Sequence, residues 1–198
     1  DKYNRNAWDD DETNDEQWPY RVKFSGTDLL GNVTIPEGNP TDLETSLEVS
    51  LDASSESYPL HTFNLLNEGV MQKIAKAFKL QPSEIISATL EAGDVKAEGF
   101  TGPADGKVAV GLTNPDGKVS YAYSANGIGF WIAADGTASS WGDAPIYYEY
   151  DAVGYGLTVG HNPGHSEKGK TYTIKPTMVY NKGGKLHKAV ITIKMKFA

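Results

Sequence analysis

The stretch AVITIKMKF, residues 189–197, indicates the fold class more clearly than any other part of the chain. Its apolar side chains recur at every second position, at Ala189, Ile191, Ile193, Met195 and Phe197. Because successive side chains of a strand point to opposite faces, the other face carries Thr192, Lys194 and Lys196. We therefore predict a strand with one buried and one solvent-exposed face.

Towards the N-terminus, similar short alternating segments recur, and turn signals separate many of them. Three of these signals end in Asp-Gly, namely PADG at 103–106, NPDG at 114–117 and AADG at 133–136. The alternating apolar positions are Val22, Phe24, Leu47, Val49, Leu51, Val108, Val110, Leu112, Val119, Tyr121, Tyr123, Ile128, Phe130, Ile132, Ile146, Tyr148, Tyr150, Tyr172 and Ile174. Short strands at such regular spacing predict a sandwich of two antiparallel sheets.

One segment interrupts the strand pattern with a helical period. Met71, Ile74 and Phe78 recur at the spacing of one helix face and are expected to pack against a sheet. Asn67 is the predicted N-cap of this helix. A second helix is predicted to begin at Pro82 and to end by Gly93. The fold class is therefore α+β, mainly β: an antiparallel β-sandwich with one small helical hairpin, inserted at about residues 67–91.

Residues 1–18, DKYNRNAWDDDETNDEQW, differ in composition from the rest of the chain. Crowded carboxylates with few apolar side chains predict a flexible acidic tail or linker. A calcium loop is the alternative, because clustered carboxylates suit that cation, but the segment lacks the glycine and distal glutamate of an EF-hand. We expect a single domain over residues 19–198. The first residue is Asp1 rather than Met, which favours an earlier targeting segment that has been removed.

Composition narrows the function classes. The net charge of -8 argues against nucleic acid and against an anionic membrane surface as partners. There are no cysteines, which excludes disulfides and thiolate chemistry. No apolar run approaches the roughly 18 residues of a membrane-spanning helix. The segment IAKAFKLQPSEIISATL resembles the start of a helix-turn-helix motif. Its second helix would, however, place the acidic residues Glu84 and Glu91 against DNA, which argues against DNA binding. We expect a monomer without cofactor.

Parts of the chain resemble a known family. They are GFWIAADGTASSWGD at 129–143, NPG at 162–164, YTIK at 172–175 and IAKAFKLQPSEI at 74–85. The chain is similar to the bacterial family called domain of unknown function 4859, over about residues 43–198. The resemblance implies an exported, often carbohydrate-associated protein of Bacteroides-type bacteria, and it carries over no catalytic residue. We expect a periplasmic or outer-membrane-surface location, with anchoring through a removed N-terminal lipoprotein segment.

Aromatic side chains give the main indication of a binding function in this sequence. If Phe130 faces the core, its neighbour Trp131 faces outwards, between small residues. Flat aromatic rings stack on sugars, and adjacent carboxylates accept hydrogen bonds from hydroxyl groups. The predicted ligand-binding residues are Trp131, Trp141, Tyr147, Asp135 and Asp143. In the alternative interpretation, both tryptophans cover the end of the sandwich as part of the core.

Two polar pairs suggest other chemistry. His161 and His165 have a metal-binding spacing on a helix, but the intervening Pro-Gly favours a loop with two exposed histidines. Glu149 and Asp151 share one strand face at a distance of about 7 Å, which suits glycoside chemistry but also an ordinary solvent face. We therefore predict no metal site and no catalytic residue.

The predicted function is a non-catalytic extracytoplasmic module that binds or presents glycan. Its expected partners are polysaccharide or other surface proteins. The alternative is a structural or adhesion-type spacer domain of a surface lipoprotein with no small ligand. A glycan-cleaving enzyme is a third hypothesis.

Overall fold

A computed structural model describes residues 29–33, 41–54, 56–90, 100–122 and 128–198. The acidic segment 1–18 and the predicted strand around Val22 and Phe24 lie outside the described residues. The described strands and helices, in chain order, are β1 Leu29–Val33, β2 Thr41–Leu51, β3 Leu60–Asn64, α1 Val70–Phe78, α2 Pro82–Ala88, β4 Val108–Thr113, β5 Val119–Ala122, β6 Ile128–Ile132, β7 Ala138–Ser139, β8 Ile146–Asp151, β9 Gly156–His161, β10 Thr171–Ile174, β11 Pro176–Lys182 and β12 Lys185–Phe197.

These strands form two sheets, and the chain is a mainly β sandwich of the α+β class, as predicted. The larger sheet has the order β1-β5-β4-β11-β12, with β10 and β2 also paired to β12. The smaller sheet has the order β3-β9-β8-β6-β7. No helix in the described part of the chain is long and apolar enough to cross a membrane.

The segment that indicated the fold belongs to β12. This strand forms one arm of a long hairpin, and β10 and β11 together form the other arm. From Thr171 opposite Lys196 to Lys182 opposite Lys185, β10 and β11 pair with β12 in one register. The hairpin turns at Gly183 and Gly184, whose φ angles are 62° and 86°. A two-residue turn of this kind needs positive φ at both positions, which glycine adopts without steric cost.

One strand pairing differs from the antiparallel expectation. β2 runs parallel to β12, from Thr41 beside Lys188 to Leu51 beside Phe197. The two strands are joined through almost the whole domain, so no tight turn imposes antiparallel pairing on them. The predicted alternation of β2 is nevertheless present, because Leu47 and Val49 are half-buried and Leu51 is buried.

Most of the core lies between the two sheets. The predicted inward positions of β12 are buried, from Ala189 to Phe197. The Tyr148 hydroxyl donates to the carbonyl of Gly111 in the opposite sheet. Phe130 stacks on Tyr148 at 5.4 Å between ring centroids. A smaller cluster covers the outer face of the larger sheet at Leu90, Ala109, Val119, Tyr121 and Val179, against Phe100 and Leu186.

The helical hairpin closes one side of this core. Met71, Ile74 and Phe78 are buried as predicted, and α1 contacts β2 and β12. The predicted N-cap was wrong: Gly69 caps α1 at a φ of 76°. Asn67 instead donates its backbone N–H to the Asn64 side chain, in the turn that leads into the helix.

The second helix follows its sequence signals. α2 begins at Pro82, and Gln81 and Glu84 form a capping box in which the Gln81 N–H donates to the Glu84 carboxylate at 2.6 Å. Such reciprocal bonds satisfy backbone donors that have no partner within the helix. Because Glu84 is engaged in this way, its role in the structure is to cap the helix.

Candidate functional site

The outer face of the smaller sheet is closed by aromatic rings. Trp131 is 2% exposed although its neighbour Phe130 faces the core as expected. Tyr147 is 0% exposed, and so is Tyr148 on the opposite face of β8. The alternative interpretation, in which the ring belongs to the core, therefore holds for Trp131, and neither Trp131 nor Tyr147 is an exposed platform residue. β6 and β8 are buried on both faces here, so strand alternation does not separate core from solvent.

A glycine allows this closure. Gly160 on β9 lies opposite Tyr147, and a Cβ at Gly160 would overlap the Tyr147 ring. Trp131 meets Tyr147 edge-on at 5.2 Å between ring centroids, and Tyr58 lies at 6.5 Å from the same ring. We call Tyr58, Trp131 and Tyr147 the outer aromatic cluster. Sequence reasoning missed the part that Gly160 plays, although a glycine inside a strand is a known sign of close packing.

The outer aromatic cluster contains one unsatisfied polar group. The Tyr147 hydroxyl is buried and has no hydrogen-bond partner among the residues that the structure describes. Burial, with smaller contributions from Glu149 and Tyr58, raises the pKa of Tyr147 well above its ordinary value of 10.0. This phenol therefore stays neutral as long as the domain is folded.

Trp141 lies in a different environment, at one end of the sandwich. It begins a short 3-10 turn, Trp141–Asp143, and its ring is half-buried. The buried Asn162 side chain fixes this turn by donating to the carbonyls of Trp141 at 3.0 Å and Ala144 at 2.8 Å. His165 is exposed and packs edge-on to the indole at 6.2 Å. Asp143 is exposed beside them.

We call Trp141, Asp143 and His165 the end site. It combines a half-buried flat ring, an exposed carboxylate and an exposed imidazole on a backbone that is held by hydrogen bonds. Sequence reasoning found Trp141 and Asp143 but missed that Asn162 supports them. The Asn-Pro-Gly turn signal at 162–164 gave no indication of a buried amide.

Asp135 lies in the exposed turn between β6 and β7. Hydrogen bonds from the side chain and backbone of Thr137 lower its pKa, and the Thr137 N–H donates at 2.9 Å. This carboxylate therefore stabilises the turn. No hydrogen bond or ring contact within the described residues joins Asp135 to Trp131 or Trp141.

The two histidines around the Pro-Gly turn differ. His165 is exposed as predicted, but His161 is 1% exposed, which corrects that part of the expectation. His161 ends β9, its ring packs on Phe197 at 5.4 Å, and its Nδ1 is hydrogen-bonded to the Ser166 hydroxyl. No group of three or more His, Cys, Asp or Glu residues in the described part of the chain is arranged to hold a metal ion.

The remaining polar residues that were considered for a functional role make local contacts within the fold. Glu149 is half-buried beside the outer aromatic cluster, and Asp151 is exposed and accepts the Val153 N–H at 3.1 Å. His187, which has no obvious partner nearby in sequence, lies 3.1 Å from the Asp42 carboxylate on β2. This hydrogen bond links the two parallel strands, so it supports the fold.

The comparisons with known proteins give one match. A family model described as "Domain of unknown function (DUF4859)" matches residues 57–185. No curated protein and no solved structure matches the chain. The matched range contains both the outer aromatic cluster and the end site.

Proposed function

The chain belongs to the family described as domain of unknown function 4859, and from that premise we propose that it is a non-catalytic glycan-binding domain that acts outside the cytoplasm. The observation that carries this proposal is the end site. There Trp141 remains half-buried while Trp131 and Tyr147 are sealed into the outer aromatic cluster.

The chemistry of the end site suits a sugar ring. An indole face stacks on the C–H face of a sugar, and each such contact contributes on the order of 1 kcal/mol. The exposed Asp143 carboxylate can accept hydrogen bonds from sugar hydroxyls, and the exposed His165 ring lies against the indole and extends the surface. One stacked ring with a few hydrogen bonds gives affinities nearer millimolar than micromolar. A site of this strength is useful on a polymeric ligand, where neighbouring sites add avidity.

The proposal includes an extracytoplasmic location, on a surface lipoprotein of Bacteroides-type bacteria. The acidic composition of residues 1–18 supports it, because such a segment suits a solvated spacer between an anchor and a domain. Protease treatment of intact cells tests this part. Cleavage of the domain without lysis is the expected result, and full protection until the inner membrane is broken would contradict it.

The test of glycan binding compares variants at the two ends of the β8–β9 hairpin. We expect Trp141→Ala to abolish retardation of the domain in gels that contain a neutral polysaccharide, across a panel of such polymers. His165→Ala removes an exposed ring and should weaken binding by a few-fold without affecting folding. The control is Val153→Ala, in the turn at the other end of this hairpin, where the side chain is 79% exposed.

One observation favours a second function, a spacer or adhesion-type domain without a small ligand. On the outer face of the smaller sheet Trp131 and Tyr147 are buried, so these two rings offer no platform within the described part of the chain. A wild-type domain that binds no polymer in the panel, or His165→Ala binding identical to wild type together with Trp141→Ala unfolding, would favour the spacer.

A further inference from the structure

The outer face of the larger sheet carries a groove that the end site does not involve. It has a volume of about 380 Å³ and runs over β2, β12 and β10. Its lining residues are Glu48, Val49, Ser50, Thr171, Lys194 and Lys196. A small apolar cluster covers this face at β4, β5 and β11, whereas the part over β2, β12 and β10 is open and polar.

Strand register places these side chains in two rows across the sheet. Lys196 on β12 lies between Thr171 on β10 and Ser50 on β2. Lys194, two residues earlier, has Glu48 as its neighbour on β2. Because alternate residues of a strand are about 7 Å apart, the two lysines project from the same face at that separation. Each row therefore presents one ammonium group.

The two ammonium groups are available to a ligand. Both lysines are exposed, and within the residues that the structure describes neither lies within ion-pair distance of a carboxylate. Hydroxyl groups from Thr171 and Ser50 stand on either side of Lys196. The groove thus offers separated positive charges together with neutral hydrogen-bonding groups.

We propose that this groove binds an acidic polysaccharide, with sugar carboxylates on Lys194 and Lys196 and sugar hydroxyls on Thr171 and Ser50. Alternating carboxylates and hydroxyls match this arrangement. The backbone of duplex DNA presents phosphates alone, without the free hydroxyl groups that would pair with Thr171 and Ser50. This inference does not depend on Trp141, so either proposal can fail without the other.

The experiment uses one polymer in two charge states. Polygalacturonate and its methyl-esterified form share a backbone, and esterification removes the carboxylate charge. We expect the full chain to bind polygalacturonate, the complex to weaken as sodium chloride is raised, and the esterified polymer to bind at least about tenfold more weakly, because exposed ionic contacts are screened by salt.

Charge variants locate the contact. Lys194→Gln combined with Lys196→Gln should weaken polygalacturonate binding roughly tenfold, and Glu48→Gln should strengthen it by roughly threefold because it removes a like charge. The matched control is Lys182→Gln with Lys185→Gln, an exposed pair beside the turn of the same hairpin. Trp141→Ala should leave binding of the acidic polymer unchanged.

Three results would overturn the proposal. One is the absence of binding to polygalacturonate. Another is an equal loss in the control pair, which would indicate a general charge effect. The third is tighter binding of duplex DNA than of polygalacturonate through Lys194 and Lys196.

Discussion

Two outward-facing regions have opposite characters: the outer aromatic cluster on the smaller sheet, and the part of the larger sheet over β2, β12 and β10. On the smaller sheet, Trp131 and Tyr147 point away from the inter-sheet core and are nevertheless buried. On the larger sheet, Lys194 and Lys196 point outwards and are exposed around an open groove. Alternation along a strand correctly separates the two faces in both cases. It indicates solvent exposure only where nothing else packs on the outer face.

Because of this difference, the candidate binding surfaces lie partly at other places than the sequence predicted. Aromatic residues in an outward register suggested a sugar platform, but on this domain they form packed structure. Trp141, whose ring is half-buried, lies in a turn, where strand alternation gives no information. The open groove is lined by lysine, serine and threonine side chains that look like an ordinary solvent face in the sequence.

The largest expected effect tests whether the outer aromatic cluster is a true core. Trp131→Ala should lower the free energy of unfolding by about 3–5 kcal/mol, as for a buried aromatic side chain that leaves a cavity. Lys194→Ala, an outward substitution on the other sheet, should change it by no more than about 0.5 kcal/mol. Urea unfolding of both variants measures the contrast. A loss below about 1 kcal/mol in Trp131→Ala would show that this face is not packed.

The next effect tests the contact that closes the cluster. Gly160→Ala places a methyl group against the Tyr147 ring and should cost about 1–3 kcal/mol through overpacking. Gly142→Ala is the control, because a Cβ there meets no atom within 4 Å. In a double-mutant cycle with Tyr147→Leu, the cost of Gly160→Ala should fall, since the smaller side chain makes room. Equal costs in both backgrounds would rule out this contact as the cause.

A smaller effect appears at alkaline pH. Burial raises the pKa of Tyr147 above its ordinary value of 10.0, so above that pH the unfolded chain releases this proton while the folded chain keeps it. The stabilising contribution is complete below about pH 10 and is lost above it, at about 1.4 kcal/mol per pH unit. Above about pH 10, the free energy of unfolding of the wild-type chain should therefore fall with pH more steeply than that of Tyr147→Phe. The two slopes should differ by about 1.4 kcal/mol per pH unit.

Unfolding curves at several pH values between 9 and about 11 measure these slopes, with Tyr155→Phe as the control, a half-buried tyrosine in the β8–β9 turn. Below pH 9, Tyr147→Phe should be neutral or stabilising by up to about 1 kcal/mol, because the hydroxyl has no hydrogen-bond partner. Parallel slopes for wild type and Tyr147→Phe would contradict the burial of this phenol.

Much of the local structure could be predicted because it depends on near neighbours. The helical period of Met71, Ile74 and Phe78 identified α1, and the fixed φ of Pro82 marked the start of α2. The N-cap of α1 could not be assigned in this way. Asn67 is a good capping residue, but the turn before the helix uses the Asn64 side chain and leaves Gly69 at the cap. Capping preference alone does not show which of the neighbouring residues the preceding turn uses.

The sequence by itself determined the α+β, mainly β class, the helical hairpin and the inward face of β12, because side-chain periodicity and turn residues act over a few positions. Only the tertiary structure decided that β2 pairs parallel to β12, that Gly160 receives the Tyr147 ring and that Asn162 holds the end site. Each of these contacts joins residues from separate segments of the chain. Alternation assigns a side chain to a face, whereas the packing of distant segments decides whether that face meets protein or water.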